Sequence, residues 1–349
     1  MSEKKISRYV RQEIFEGIGP VGQKKLLQSR VAILGLSGLG TATAESLARA
    51  GVGFIRIIDG DFADIVELQR QNIFTESDAT GEIPKAAAVK KYLQKVNSEI
   101  TIEEVISDIN SSNIEHFIED TDLVIDASDS MEIRLLINEA CHVLQKPWIY
   151  GGALAASGMT FSFLPGENEP CLKCFLGDDI YEDGEQPTCA TVGVLNPTIN
   201  MIAALQSAEA LKIISGSENV RRDMVMFDLW DNTFDMLPIE KDPECSMCAK
   251  GIYEFYGKSR GSQIVGICGK DSVQIIPQIE RNLDFEMYAA KLKNQGNVRY
   301  NNYTLNFDDG NVEIKLFRNG RAIIKHITDE ARAKAVYAEY IGLYQKGEQ

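Results

Sequence analysis

The feature that most constrains this 349-residue chain is an apolar run, Val31-Ala-Ile-Leu34, that leads directly into the glycine loop Gly35-Leu-Ser-Gly-Leu-Gly40. Small, helix-compatible residues follow from Thr41 to Ala50, then Gly51 and Gly53, then a second apolar run, Phe54-Ile-Arg-Ile-Ile58. Strand, helix and strand in that order, with glycines at the first turn, make a βαβ unit with a phosphate loop. Gly35 permits the tight turn. Gly38 and Gly40 let backbone approach a phosphate and the next helix, whose positive N-terminal end faces an anion. The loop by itself does not choose between a dinucleotide and ATP.

The alternation continues with a helix over Lys85 to Val96, a strand over Thr101 to Ile106 and a short helix over Ile114 to Ile118. A buried strand, Leu123 to Asp126, a helix from Met131 to Leu144 and a strand, Trp148 to Tyr150, come next. This order predicts an α/β fold: a Rossmann-like, mostly parallel sheet with helices on both faces and its ligand at the carboxyl ends of the strands. From Cys171 to about Pro197 the composition turns irregular; a helix from Asn200 to Ile214 and a strand from Val225 to Leu229 follow. The first domain is expected to span residues 1–253.

Residues 254–349 read as a small C-terminal α+β domain. Strands are expected at Gln263 to Ile267 and Val273 to Ile276, and a helix at Phe285 to Leu292. Three further strands, Tyr303 to Phe307, Val312 to Phe317 and Ala322 to Ile327, are separated by Asp309-Gly310 and Asn319-Gly320, both hairpin signals. A last helix runs from Asp329 to about Tyr344, with Thr328 as its expected N-cap.

Charge narrows the partners. A net charge of −15, from 51 acidic and 36 basic residues, disfavours nonspecific binding to nucleic acid or anionic lipid. The N-terminus is polar, and no run approaches the roughly 18 apolar residues that span a bilayer, so a cytoplasmic protein with no membrane or nucleic-acid partner is expected.

Asp59 closes the second strand, where a carboxylate accepts hydrogen bonds from ribose hydroxyls; Asp61 lies two residues on. Arg70 and Lys85 favour ATP over NAD, because a nucleotidyl-transfer site needs cations on a triphosphate whereas hydride transfer gains little from them. Asp129 follows the buried strand that Asp126 ends; either could hold Mg²⁺ between phosphate oxygens, or Asp126 could cap the next helix. Cys171-Leu-Lys-Cys174 and Cys245-Ser-Met-Cys248 have the spacing with which four thiolates close round one structural Zn²⁺. Cys189 stands in a polar stretch where an accessible thiol is expected. None of the three histidines has a metal-ligand or nucleophile-motif spacing.

These residues together resemble the ThiF/MoeB/HesA adenylyltransferases, bacterial relatives of ubiquitin-activating enzymes, over roughly residues 8 to 250. The resemblance is carried by Arg8-Tyr-Val-Arg-Gln12, the glycine loop, Ala50-Gly-Val-Gly53, Asp59-Gly-Asp61, Leu68-Gln-Arg-Gln71, Pro84-Lys85, Asp126-Ala-Ser-Asp129, Arg134 and both cysteine pairs. It implies ATP-dependent adenylation of the C-terminal glycine of a ubiquitin-like sulfur carrier ending in Gly-Gly, of the ThiS or MoaD type. By position it implies Asp59 at the ribose, Arg70 and Lys85 at the phosphates and Asp129 at Mg²⁺. It also implies Arg11 reaching into the neighbouring subunit of a homodimer, and Cys189 linking covalently to the carrier during sulfur transfer. The second domain resembles the C-terminal extension of some ThiF-like proteins of Gram-positive bacteria, and not a rhodanese domain, so a separate sulfur donor is expected.

Three positions depart from the family pattern: Ser37 replaces a glycine, Ser130 an asparagine, and Glu67 the asparagine before Leu-Gln-Arg-Gln. A carboxylate at position 67 repels phosphates unless it binds metal or turns toward Arg70. Adenylation of a short peptide, or a catalytically weak scaffold that binds a ubiquitin-like partner, are the alternative readings.

Overall fold

β1 (Arg30–Leu34) is apolar along its length because both faces of the sheet it joins are covered. Consecutive side chains of a strand point to opposite faces. Val31 and Ile33 accordingly pack into one core layer, Ala32 and Leu34 into the other. A computed structural model describes residues 7–177, 189–258, 263–266, 272–277 and 282–342. The chain divides into two units, residues 1–258 and 259–349.

In the first unit, β1 is flanked by β2 (Phe54–Ile58), β3 (Thr101–Val105), β4 (Leu123–Asp126) and β5 (Trp148–Leu154), all parallel, in the order β3-β2-β1-β4-β5. β6 (Ser157–Phe163), β7 (Asp223–Asp228) and β8 (Thr233–Pro238) extend the sheet antiparallel. Helices α1 (Val10–Ile14) and α2 (Gly19–Gln28) precede β1. They are followed by α3 (Gly38–Ala50), α4 (Glu76–Thr80), α5 (Lys85–Val96), α6 (Ile114–Ile118), α7 (Met131–Val143), α8 (Leu172–Leu176), α9 (Cys189–Val192) and α10 (Asn196–Ser215). One core layer receives α3, α5 and α10 through Ala44, Leu47, Val89, Leu93 and Ile202; the other receives α6 and α7 through Ile114, Phe117 and Leu136. The strand order reverses at β1, between β2 and β4, and the carboxyl ends there form the crevice that binds ligands in such sheets.

Two strands of this unit lie beyond the sequence expectation. β5 continues past Tyr150 to Leu154 and turns back as β6, whose Phe161 and Phe163 enter the core on alternate positions. β8 is exposed at every residue and so lacks a buried apolar face; its register on β7, from Asp223 opposite Pro238 to Asp228 opposite Thr233, defines it instead.

The second unit is a six-stranded sheet in the order β11-β12-β13-β14-β10-β9, from β9 (Gln263–Gly266), β10 (Ser272–Ile276), β11 (Asn297–Tyr300), β12 (Thr304–Asp308), β13 (Glu313–Phe317) and β14 (Ala322–Lys325). The two glycine hairpins form as read: Gly310 and Gly320 both have φ of +88°. α11 (Phe285–Leu292) and α12 (Glu330–Tyr340) pack on this sheet's core through Phe285, Leu292, Ala333 and Tyr337. Thr328 is not the cap of the last helix. Asp329 takes that place, its carboxylate accepting the Arg332 N–H at 2.6 Å, since a carboxylate also complements the helix's positive end.

Candidate active site

The glycine loop joins β1 to α3, and its three glycines are fixed by close approach. Gly35 adopts φ +96° and donates its N–H to the Ile58 carbonyl at 2.9 Å, tying the loop to β2. A β-carbon at Gly40 would lie 2.0 Å from the Gly35 carbonyl oxygen, and one at Gly38 2.7 Å from that of Arg70. The Leu68-Gln-Arg-Gln71 segment therefore rests directly on the first turn of α3. Ser37 sits at the N-cap of α3 without side-chain capping, so the departure from glycine there is accommodated in extended backbone.

Asp59 holds the loop from the other side. Its carboxylate accepts the N–H groups of Leu36 and Asp61, each at 2.7 Å. Burial pushes the carboxyl up to about 6, the Lys85 ammonium works against that shift, and Asp61 adds to it. The Asp61 carbonyl accepts the Lys85 N–H at 2.8 Å, so the turn after β2 positions the first residue of α5.

Lys85 is only 4% exposed. Burial disfavours its charge, but Asp59, Glu67 and Asp61 face it, and the ammonium is held above its ordinary range. Glu67 ends a 3₁₀ turn, Ile65–Glu67, and reaches both cations: 3.0 Å from Lys85 Nζ and 3.5 Å from an Arg70 nitrogen. It thus turns toward Arg70, as a carboxylate there must, and toward Lys85 as well. Arg70 also donates to the Val66 carbonyl at 3.3 Å.

At the end of β4 the two aspartates differ in environment. Asp126 is fully buried, accepts the Ser128 N–H at 3.0 Å and hydroxyl at 2.7 Å, and lies 3.4 Å from Arg134. Burial raises its carboxyl, with Arg134 and Ser128 opposing. Arg134 in turn donates to the carbonyls of Ser128 (2.9 Å) and Gly151 (3.2 Å), joining the carboxyl ends of β4 and β5. Asp126 does not cap the next helix; Ser130 is the N-cap of α7. Asp129 is exposed on the connecting turn. Sequence reasoning passed over Gln71, whose carboxamide is fully buried with neither end hydrogen-bonded among the described residues. The only sequence signal for it is its place beside Arg70.

Arg11 lies elsewhere, exposed on α1. That helix is pinned to the far end of α3: Gln12 and Gln23 both donate to the Ala50 carbonyl, at 2.8 and 3.0 Å, and Asn97 donates to the Tyr9 hydroxyl at 2.8 Å. Cys189 begins α9, and its side chain lies outside the described residues.

The four cysteines of the two Cys-x-x-Cys pairs converge. Sulfur separations are 3.8 Å for Cys171–Cys174, 3.7 Å for Cys171–Cys245 and 3.5 Å for Cys174–Cys248, with all four within 4.8 Å of one another. A tetrahedral zinc with bonds of about 2.3 Å sets its sulfurs about 3.8 Å apart, so the cluster fits Zn²⁺. The Cys174 thiol is lowered by the proton Cys171 shares with it and by backbone N–H groups of Cys171 and Asp242, at 3.5 and 3.4 Å. Lys173 between the ligands pairs with Glu254 at 2.6 Å, and buried Glu139 accepts the N–H groups of Glu254, Phe255 and Tyr256, each at 2.8 Å. Residues just past 253 are therefore part of the first unit, which runs to 258.

A doubly covered sheet with a glycine loop at its first crossover, held by the Asp59 carboxylate that also acts on buried Lys85, has the ground plan of a nucleotide-binding α/β fold. Residues 9–247 match the ThiF family, and the chain belongs to it. It is 37% identical over 338 residues to the sulfur carrier protein ThiS adenylyltransferase of Bacillus subtilis, a match that covers 96% of this chain and 99% of that one. It is 32% identical over 254 residues to the molybdopterin-synthase adenylyltransferase of Escherichia coli, covering 72% of this chain and 99% of the relative. Both relatives are adenylyltransferases, and this chain is an enzyme of that class. The fold is shared with the crystal structure of Escherichia coli MccB, with a TM-score of 0.63 at 24% identity over 73% of this chain and 76% of that one.

Proposed function

We propose that the protein adenylates the C-terminal glycine carboxylate of a small ubiquitin-like sulfur carrier ending in Gly-Gly, with ATP as adenylyl donor and pyrophosphate as leaving group. The observation that carries this reading is Lys85, a cation buried at the start of α5 and kept charged by three carboxylates beside a glycine loop. Such an arrangement suits phosphate neutralisation. A carrier of the ThiS type is favoured, because the Bacillus match extends through the second unit.

In this reading the carrier carboxylate attacks the α-phosphorus in line. A carboxyl oxygen–phosphorus bond forms, the bond to the bridging oxygen of the β-phosphate breaks, and pyrophosphate leaves with the electron pair. No general base is required, since the nucleophile is already ionised at neutral pH. The obstacle is repulsion between carboxylate and triphosphate. Backbone N–H groups at Gly38 to Gly40 and the cations of Arg70 and Lys85 answer it by lowering phosphate charge and fixing the α-phosphorus. Asp59 accepts from the ribose hydroxyls. Asp129, an exposed hard-oxygen donor just past a strand's carboxyl end, would hold Mg²⁺, and the ion would supply further charge neutralisation.

Arg11 is assigned to a neighbouring subunit's site. The exposed side chains of Ile14, Phe15 and Val21 on and beside α1 and α2 support a homodimer face there. Cys189 is assigned to covalent linkage with the carrier, its sulfur supplied by a separate donor. The β7–β8 hairpin presents Trp230, 78% exposed, with Phe234 and Met236 on one face of the sheet's edge strand, a surface suited to the apolar patch of a carrier. Zinc held by the four cysteines serves structure, since no coordination position is left for a reactant.

Labelled pyrophosphate is expected to enter ATP only when a carrier ending in Gly-Gly is present; exchange indifferent to the carrier would contradict the reading. A pH dependence follows from Asp59. Its carboxyl titrates at about 6 and must be ionised to accept from the ribose, so ATP affinity is expected to fall as pH drops through that value. Proton competition predicts about a tenfold loss one unit below it. Titration calorimetry between pH 5 and 8 checks this, with Asp59→Asn expected to flatten the profile.

A further inference from the structure

Glu67 spans the two cations assigned to the phosphates, 3.0 Å from Lys85 and 3.5 Å from Arg70. Lys85 also feels Asp59 and Asp61, so two cations stand against three carboxylates, and the cluster carries a net negative charge before any nucleotide arrives. The Glu67 side chain is 19% exposed and one carboxylate oxygen is wholly buried, so solvent screens it poorly. A carboxylate placed this way acts unequally on two forms of one ligand. Free ATP carries roughly four negative charges against roughly two for its magnesium complex, so Glu67 repels the free form about twice as strongly.

We propose that Glu67 makes this site selective for the magnesium complex of ATP over the metal-free nucleotide. Its carboxylate holds Lys85 and Arg70 as an internal counter-ion, and a triphosphate displaces it only when a divalent cation has reduced the charge that it brings. Magnesium is then required for nucleotide binding itself as well as for the chemical step. The inference rests on the reading of Lys85 and Arg70 as phosphate ligands.

The test is the ratio of ATP dissociation constants without and with magnesium, measured on the full chain by titration calorimetry in EDTA and in excess Mg²⁺. Wild type is expected to show a large ratio. Glu67→Gln, near-isosteric and neutral, is expected to reduce it at least about tenfold by strengthening metal-free binding, and Glu67→Asn gives a second neutral replacement. Glu67→Asp keeps the charge and is expected to retain the ratio within about threefold. An unchanged ratio in both neutral variants overturns the proposal, as does a fall in Glu67→Asp equal to that in Glu67→Gln, which would assign the effect to packing. ATP binding with an unaltered ratio leaves the adenylation reading standing and removes only this inference. Failure of every form to bind ATP in either buffer removes both.

Discussion

Replacing Lys85 with alanine is expected to lower carrier-dependent ATP–pyrophosphate exchange by roughly 100- to 1,000-fold, the loss that follows removal of a preorganised electrostatic contact to the reacting group. The same substitution leaves Asp59, Asp61 and Glu67 facing one another without the ammonium that held them, which costs on the order of 3 kcal/mol of stability. The two effects separate with a second substitution. Adding Glu67→Gln to Lys85→Ala removes one of the uncompensated carboxylates, and the thermal midpoint is expected to recover in part while exchange stays low. Recovery of exchange together with stability would assign Lys85 a folding role alone. Lys85→Arg keeps the charge but places a planar, larger group in a niche only 4% exposed, and exchange is expected to fall between the two.

The second large effect concerns the four cysteines. Cys174→Ser, or prolonged chelation, is expected to abolish stoichiometric zinc in the purified protein and to lower the unfolding midpoint by roughly 10 °C, as loss of several kcal/mol does in a domain of this size. The cluster links the chain near α8 to the segment after β8, and Lys173 and Glu139 secure Glu254 to Tyr256 beside it. Without metal, four thiols packed within 4.8 Å of one another lose the centre that holds them. Exchange measured below the lowered midpoint is expected to remain within about threefold of wild type, because a closed four-thiolate site offers no position for a reactant. Metal analysis and calorimetry check the first part, exchange the second.

Much of the large unit was legible because its strands are short apolar runs bounded by turn residues. The run from Phe54 to Ile58 and the helix from Lys85 to Val96 have the bounds read from the residues alone. β8 was not legible, because it buries no face and exists through its pairing with β7. The N-cap of the last helix was misplaced by one residue, Thr328 and Asp329 both being capping types; hydrogen-bond geometry chose the carboxylate.

For the site, residue type and order pointed to Asp59, Lys85 and the cysteine pairs, since these chemistries depend on spacing along one chain. Residue chemistry left Asp126 and Asp129 equivalent, and it was the family resemblance that favoured Asp129. The two are three residues apart, and only the packing of Arg134 against β4 and β5 buries one carboxylate and leaves the other exposed. Sequence alone could not say where Glu67 points. A local motif placed a glycine loop, two cations and an acidic intruder along the chain. The direction of that intruder was decided when α5 brought Lys85, eighteen residues away along the chain, to 3.0 Å from its carboxylate. An ion pair across such a span is a product of the folded sheet, and no periodicity records it.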